Sequence, residues 1–86
     1  MNIEIYSKVD CPYCVRAKNL FRTLMLEYKE YVVPTDISRE EFLQKFKPAK
    51  TVPQIIVDGE HIGGYNDLIK DYRFNLLITN PIKADE

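Results

Sequence analysis

The chain has 86 residues, enough for one small domain built around one core. Hydrophobic residues make up 45% of it, and there are only 3 Gly and 5 Pro, which excludes a disordered or collagen-like protein. The 12 Lys and Arg nearly balance the 13 Asp and Glu, so the basic excess typical of nucleic-acid-binding proteins is absent and no nucleic-acid partner is predicted.

Targeting and membrane signals are also absent from the sequence. The N-terminal segment lacks the basic stretch and the apolar run of a secretory signal peptide. No stretch approaches the ~20 apolar residues that a membrane-spanning helix needs. The sequence therefore predicts a cytoplasmic protein without a membrane partner.

The first part of the chain predicts a strand followed by a helix. Apolar and polar residues alternate at the N-terminus, which predicts a strand over residues 2–6. Apolar side chains then recur at helical spacing from Ala17 to Tyr28. Pro12 suits the first turn of this helix, where its missing N–H costs nothing, so the helix is predicted to begin beside Cys11.

The middle of the chain predicts a second strand and a second helix. The β-rich run 31–33 predicts a strand that ends at Pro34. Residues 38–41 read Ser-Arg-Glu-Glu, a capping box that predicts a short helix stopped by Pro48. Aromatic residues whose spacing predicts core packing are Phe21, Tyr28, Phe42 and Phe46.

The remainder predicts a β-hairpin and a last helix. The apolar run 55–57 is typical of a strand covered on both faces. Asp58-Gly59 predicts a two-residue turn into a strand that Gly63-Gly64 ends. A final helix is predicted from about Asn66.

The predicted element order is therefore β-α-β-α-β-β-α. The first crossover is expected to be right-handed with parallel strands, and the hairpin adds an antiparallel partner. The result is an α/β protein with a four-stranded mixed sheet flanked by three helices, as in the thioredoxin-like fold. One domain is predicted over residues 1–78, followed by a polar, frayed tail over 79–86.

The two cysteines, Cys11 and Cys14, carry the clearest chemical signal. A disulfide that closes so short a loop removes little chain entropy, so the pair is predicted to be reactive. Only a thiolate attacks disulfides, and a helix N-terminus with Lys8 nearby would stabilise the Cys11 thiolate. Cys14, one turn further, could then displace a product bound to Cys11. A metal site and an inert buried pair remain alternatives, although zinc needs four ligands and the sequence adds only the distant His61.

Three segments, in order along the chain, carry a family resemblance. Residues 11–14, Cys-Pro-Tyr-Cys, match an active-site tetrapeptide. Residues 51–53, Thr-Val-Pro, match a second motif in which the proline is cis, and residues 61–67, His-Ile-Gly-Gly-Tyr-Asn-Asp, resemble a third. Over about residues 2–78 the sequence resembles the glutaredoxins of the dithiol type.

The resemblance implies a glutathione-dependent thiol–disulfide oxidoreductase in which Cys11 and Cys14 are catalytic. It implies a monomer that uses glutathione as co-substrate, needs no metal, and acts on disulfide-containing or glutathionylated proteins, ribonucleotide reductase among them. Lys8 is expected to meet the glycine carboxylate of glutathione, and Asp67 its amine. Lys50 could add to the same cationic rim, whereas a solvated surface charge is the favoured interpretation of Lys47. The glutathione-binding residues that it implies are Lys8, Tyr13, Thr51, Val52, Pro53, Gly64, Tyr65, Asn66 and Asp67.

Two functions from other classes fit the residues less well. An iron–sulfur carrier would resemble the members with a single active-site cysteine, from whose Cys-Gly-Phe-Ser pattern Pro12 and Cys14 depart. A non-catalytic binding module would need neither thiol. His61 is predicted to be a strand residue with a satisfied ring and stands outside the catalytic set.

Overall fold

In the computed structural model, which describes residues 1–79, the chain forms one sheet and a series of helices. The elements are β1 (Ile3–Ser7), α1 (Pro12–Thr23), β2 (Lys29–Val32), α2 (Arg39–Phe46), β3 (Gln54–Val57), β4 (Glu60–Gly63), α3 (Tyr65–Lys70) and α4 (Tyr72–Thr79). Of the predicted tail, only Thr79 is described, and it ends α4; the rest lies outside the described residues. Among the helices described in residues 1–79, none combines the length and the hydrophobicity of a membrane-spanning segment.

The four strands form one mixed sheet in the order β2-β1-β3-β4. β1 and β2 are parallel, β3 runs antiparallel to β1, and β4 runs antiparallel to β3. The turn at Asp58 and Gly59, where φ is 51° and 83°, joins the last two strands. The predicted four-stranded mixed sheet of the thioredoxin-like fold is confirmed.

Both faces of the sheet are covered by helices, because β1 and β3 carry apolar residues that point to either side. One face packs on α1, α3 and α4, and the other packs on α2. The predicted two-sided burial of residues 55–57 is therefore confirmed. Buried residues on the first face are Ile3, Ile5, Ala17, Phe21, Ile55, Val57, Leu68 and Phe74, and on the second Tyr6, Phe42 and Phe46.

Local capping signals fix where the first two helices begin. Cys11 is the N-cap of α1, and Pro12 occupies its first turn. At α2 the Glu41 N–H donates to Ser38 Oγ at 3.0 Å, and the Glu41 carboxylate accepts from the Ser38 N–H in return. Both predicted starts are confirmed.

The C-terminal helical segment is divided in two at Asp71, where the sequence predicts one helix. The Asp71 N–H closes the last turn of α3 on Asp67 O at 3.0 Å. Asp71 Oδ1 then accepts from the Arg73 N–H at 3.0 Å, so the same residue caps the start of α4. The Arg73 guanidinium also donates to Asp71 Oδ2 at 2.9 Å and reaches Glu60 on β4 at 3.5 Å.

Removing the Asp71 carboxylate should lower stability in a pH-dependent way. Hydrogen bonds from Arg73 outweigh the effect of burial and lower the pKa of the Asp71 carboxyl. Its stabilisation is therefore complete above the unfolded value of ~3.9 and is lost as pH falls through the lower folded value. We expect Asp71→Ala to reduce the free energy of unfolding by about 1–2 kcal/mol at pH 7, as for a lost charged cap. Urea denaturation of both proteins between pH 7 and pH 2 checks this, and a difference that did not shrink as the pH fell below the unfolded value of ~3.9 would contradict it.

Candidate active site

Cys11 and Cys14 form a disulfide at the N-terminus of α1, with their Cα atoms 5.2 Å apart. Cys11 is 7% exposed and Cys14 only 1%, so the first sulfur is the one that a substrate can reach. The Cys14 N–H donates to Cys11 Sγ at 3.2 Å. In the reduced protein the same donor and the helix dipole favour a thiolate at Cys11.

The loop before β3 brings the second motif to the sulfur. The Val52–Pro53 peptide bond is cis, as the family resemblance implies. The Val52 carbonyl oxygen lies 3.9 Å from Cys11 Sγ. The backbone at Val52 therefore borders the Cys11 sulfur.

The third motif forms a tight turn between β4 and α3. Gly63 has a φ of 112°, a conformation that favours glycine. The Gly64 N–H donates to Asp67 Oδ2 at 3.0 Å, so Asp67 caps α3 with one carboxylate oxygen. A methyl group at Gly64 would lie 3.4 Å from Pro53 O, which shows how closely the second and third motifs pack.

A groove of about 430 Å³ runs between these motifs. Every glutathione-binding residue predicted from the resemblance lines it, except Lys8. The rings of Tyr13 and Tyr65 meet across it with centroids 5.9 Å apart, and the Arg16 guanidinium lies 5.1 Å from the Tyr13 ring. The full lining is Tyr13, Ala49, Thr51, Val52, Pro53, Gln54, His61, Gly63, Gly64, Tyr65, Asn66 and Asp67.

A second groove, of about 390 Å³, lies on the other side of residues 51–52 and is cationic. Lys8 and Lys50 line it, as does Arg39, which sequence reasoning missed. Lys47, for which the sequence favours a solvated surface charge, is the C-cap of α2 and lines neither groove. Thr51 and Val52 line both grooves. The peptide that joins them therefore forms a ridge between the cationic groove and the groove that Asp67 lines.

An ion pair one turn beyond Cys14 ties α1 to the sheet. Glu30 on β2 accepts hydrogen bonds from the buried Ser7 hydroxyl and from Lys18 Nζ, the latter at 2.9 Å. Burial raises the pKa of the Glu30 carboxyl. The hydrogen bonds from Ser7 and Lys18 and the charge of Lys18 lower it by more, so the pKa of this carboxyl lies below its ordinary value. An ionised Glu30 therefore holds Lys18, one turn beyond Cys14, against the sheet.

Comparison with known proteins is consistent with this geometry. The family model described as Glutaredoxin matches residues 3–62. Glutaredoxin 1 of Escherichia coli strain K12 is 41% identical over 83 residues, which cover 88% of this chain and 98% of that protein. Among solved structures, glutaredoxin 1 from Francisella tularensis in complex with cacodylate has a TM-score of 0.74 at 32% identity, covering 90% of this chain and 96% of that one. The buckwheat glutaredoxin–glutathione complex has a TM-score of 0.68 at 29% identity, covering 90% and 73%.

Proposed function

The chain belongs to the glutaredoxin family and is a thiol–disulfide oxidoreductase, and on this premise we propose that glutathione is its reductant. The substrates proposed are protein–glutathione mixed disulfides and protein disulfides. The observation that carries the proposal is the ridge at Thr51 and Val52, which has the reactive sulfur beside it and a pocket of different charge on either side. The buckwheat relative, a glutathione complex, supports the same ligand.

The two pockets match the two ends of glutathione. The glycine carboxylate would enter the cationic groove of Lys8, Arg39 and Lys50. The γ-glutamyl end, with an amine and a carboxylate, would lie near Asp67 in the other groove. A tripeptide that spans both must cross the ridge, where its cysteine comes within reach of Cys11.

Removal of glutathione from a protein proceeds through Cys11. Its thiolate attacks the glutathione sulfur of the mixed disulfide, the bond to the protein sulfur breaks, and the protein thiolate leaves and takes up a proton. Cys11 now carries glutathione. A second glutathione thiolate attacks the bound glutathione sulfur, which releases oxidised glutathione and restores the Cys11 thiolate.

Reduction of a protein disulfide uses both cysteines. Cys11 becomes linked to one client sulfur, and Cys14 then loses its proton and attacks Cys11 Sγ, which frees the fully reduced client. The product is the Cys11–Cys14 disulfide present in the structure. Two glutathiones reduce it and leave as oxidised glutathione.

We also propose ribonucleotide reductase as a client of this protein. In this proposal the protein is a monomer and acts in the cytoplasm. A reducing compartment keeps the glutathione pool able to recharge the disulfide. Supplying the reduced protein and glutathione as the only electron donors and measuring deoxyribonucleotide formation tests this client.

The experiment that tests glutathione use compares Lys8→Ala with Lys47→Ala. We expect Lys8→Ala to raise KM for a glutathionylated peptide by about 3–10-fold, since one charged contact to the carboxylate contributes about 1 kcal/mol. Lys47→Ala, which removes the same charge outside both grooves, should leave KM unchanged. Formation of oxidised glutathione in a coupled assay gives the rate.

A small uncharged disulfide provides the control for sulfur chemistry. In single turnovers with the reduced protein, Lys8→Ala should slow the reaction with this disulfide less than it impairs the use of the glutathionylated peptide. Equal losses on both substrates would show that Lys8 acts on the thiolate and not on glutathione. An inactive wild type in the coupled assay would reject glutathione as the reductant.

A further inference from the structure

Gln54 is a polar residue buried beside the ridge, at 5% exposure. It directly follows Pro53 and begins β3. Its Nε2 donates to Thr51 O at 2.8 Å, and its Oε1 lies 2.7 Å from His61 Nε2 on β4. Both ends of this buried amide are therefore paired, and one of the partners is the backbone of the ridge.

The chemistry of the partners fixes the direction of both hydrogen bonds. A carbonyl oxygen can only accept, so the end of Gln54 that faces Thr51 must be its NH₂ group. Oε1 then faces His61, whose Nε2 must carry a proton to donate to it. The His61 ring is held in place by the buried Phe46, with ring centroids 4.8 Å apart. His61 therefore keeps the Gln54 amide from turning over.

The orientation of Thr51 O determines where the next N–H points. The Thr51–Val52 peptide is trans, so its N–H and C=O point in opposite directions. With Thr51 O turned inward to Gln54, the Val52 N–H is turned away from it. Within residues 1–79 no group accepts a hydrogen bond from that N–H. An unpaired donor is thus presented at the ridge that both grooves share.

We propose that Gln54 and His61 are positioning residues that hold the Thr51–Val52 peptide so that its N–H is presented to the peptide backbone of the substrate. This inference rests on the proposed function, because the substrate that crosses the ridge is taken to be glutathione or a glutathionylated protein. Neither side chain touches the sulfur. Their effect should be on substrate binding, through one backbone hydrogen bond of the kind formed when a strand is added.

A merely structural role predicts a different pattern. If Gln54 and His61 served only to pair each other's polar groups, their loss would lower stability and would leave substrate affinity and the Thr51 carbonyl unchanged in the folded protein. The positioning role predicts a higher KM with an unchanged rate of the sulfur chemistry. The lost contact to the substrate backbone would be equally strong in the bound substrate and in the transition state, so its removal weakens binding only.

The primary test is Gln54→Glu, which keeps the size of the side chain and replaces the donor to Thr51 O by an acceptor. We expect KM for a glutathionylated peptide to rise about 3–10-fold, the range for one lost hydrogen bond, with kcat nearly unchanged. The single-turnover rate with a small uncharged disulfide should match the wild type. Equal changes on both substrates, or an unchanged KM, would overturn the inference.

His61 supplies a test that does not depend on the folding of a variant at a buried position, since this residue is exposed. His61→Leu removes the N–H that donates to Gln54 Oε1 and should raise KM as Gln54→Glu does. His61→Gln carries an N–H at similar reach and should restore the wild-type KM. Equal KM values for both variants would overturn the inference.

A readout without substrate separates this inference from the proposed function. The ¹³C chemical shift of the Thr51 carbonyl should change in His61→Leu and return in His61→Gln, because the shift reports the hydrogen bond from Gln54. If the shift follows this pattern while the wild type shows no activity with glutathione, the proposed function fails and the positioning of the peptide stands. An unchanged shift in His61→Leu would contradict the positioning itself.

Discussion

Cys11→Ser is expected to reduce both deglutathionylation and the reduction of protein disulfides to the uncatalysed background, whereas Cys14→Ser should keep deglutathionylation. Cys11 is the more exposed sulfur, borders the ridge and caps α1, so every route in the proposed mechanism begins with its thiolate. Cys14 is 1% exposed, and the proposed mechanism needs it only where a client must be displaced from Cys11 intramolecularly. Cys14→Ser should therefore still remove glutathione from proteins and lose most reduction of protein disulfides.

The measurement uses both substrates and the mass of the protein. After incubation with oxidised glutathione, Cys14→Ser should carry one glutathione, located on Cys11 by peptide mapping, and Cys11→Ser should carry almost none. If Cys11→Ser retained deglutathionylation and Cys14→Ser lost it, the attacking and resolving roles of the two cysteines would have to be exchanged. Unchanged reduction of protein disulfides by Cys14→Ser would show that a second glutathione replaces the resolving thiol on this route too.

Features that depend on neighbours in the sequence could be predicted without a structure. The capping box at residues 38–41 and Pro12 beside Cys11 mark helix starts through contacts within one turn. The Asp58-Gly59 turn is likewise a local signal. Burial of residues 55–57 on both faces followed from an uninterrupted apolar run. Together these signals determine the strand and helix order, and the family resemblance places the three motifs.

Features that depend on distant partners could not be predicted in this way. Asp71 divides the last helix without a Gly or Pro, because its carboxylate turns back to cap α4 and to bind Arg73. Gln54 lies just before the predicted strand 55–57, and its burial is explained only by Thr51 O and His61. Arg39 reads as the first residue of α2, and only the packing of that helix brings it to the groove of Lys8.

Gly63→Ala should weaken both the fold and the binding of glutathione. Its φ of 112° strains any other residue, and a Cβ there would lie 2.8 Å from Asp67 Cγ. The Asp67 carboxylate would have to move, which breaks its cap on the Gly64 N–H and shifts the proposed ligand of the glutathione amine. We expect a loss of about 2–3 kcal/mol in the free energy of unfolding, from strain and the lost cap together. KM for a glutathionylated peptide should rise, with little change for a small uncharged disulfide.

Gly59→Ala is the matched control for this effect, because it separates backbone strain from the displacement of Asp67. Gly59 also has a positive φ, of 83°, but a Cβ there would meet nothing within 4 Å. It should lose stability through strain alone and keep its KM for the glutathionylated peptide. If displacement of Asp67 is the cause, the effects of Gly63→Ala and Asp67→Ala should be less than additive in the double variant, since the shortened side chain leaves room for the new methyl group. Full additivity, or the same rise in KM for Gly59→Ala, would show that Gly63 acts on binding through something other than the Asp67 carboxylate.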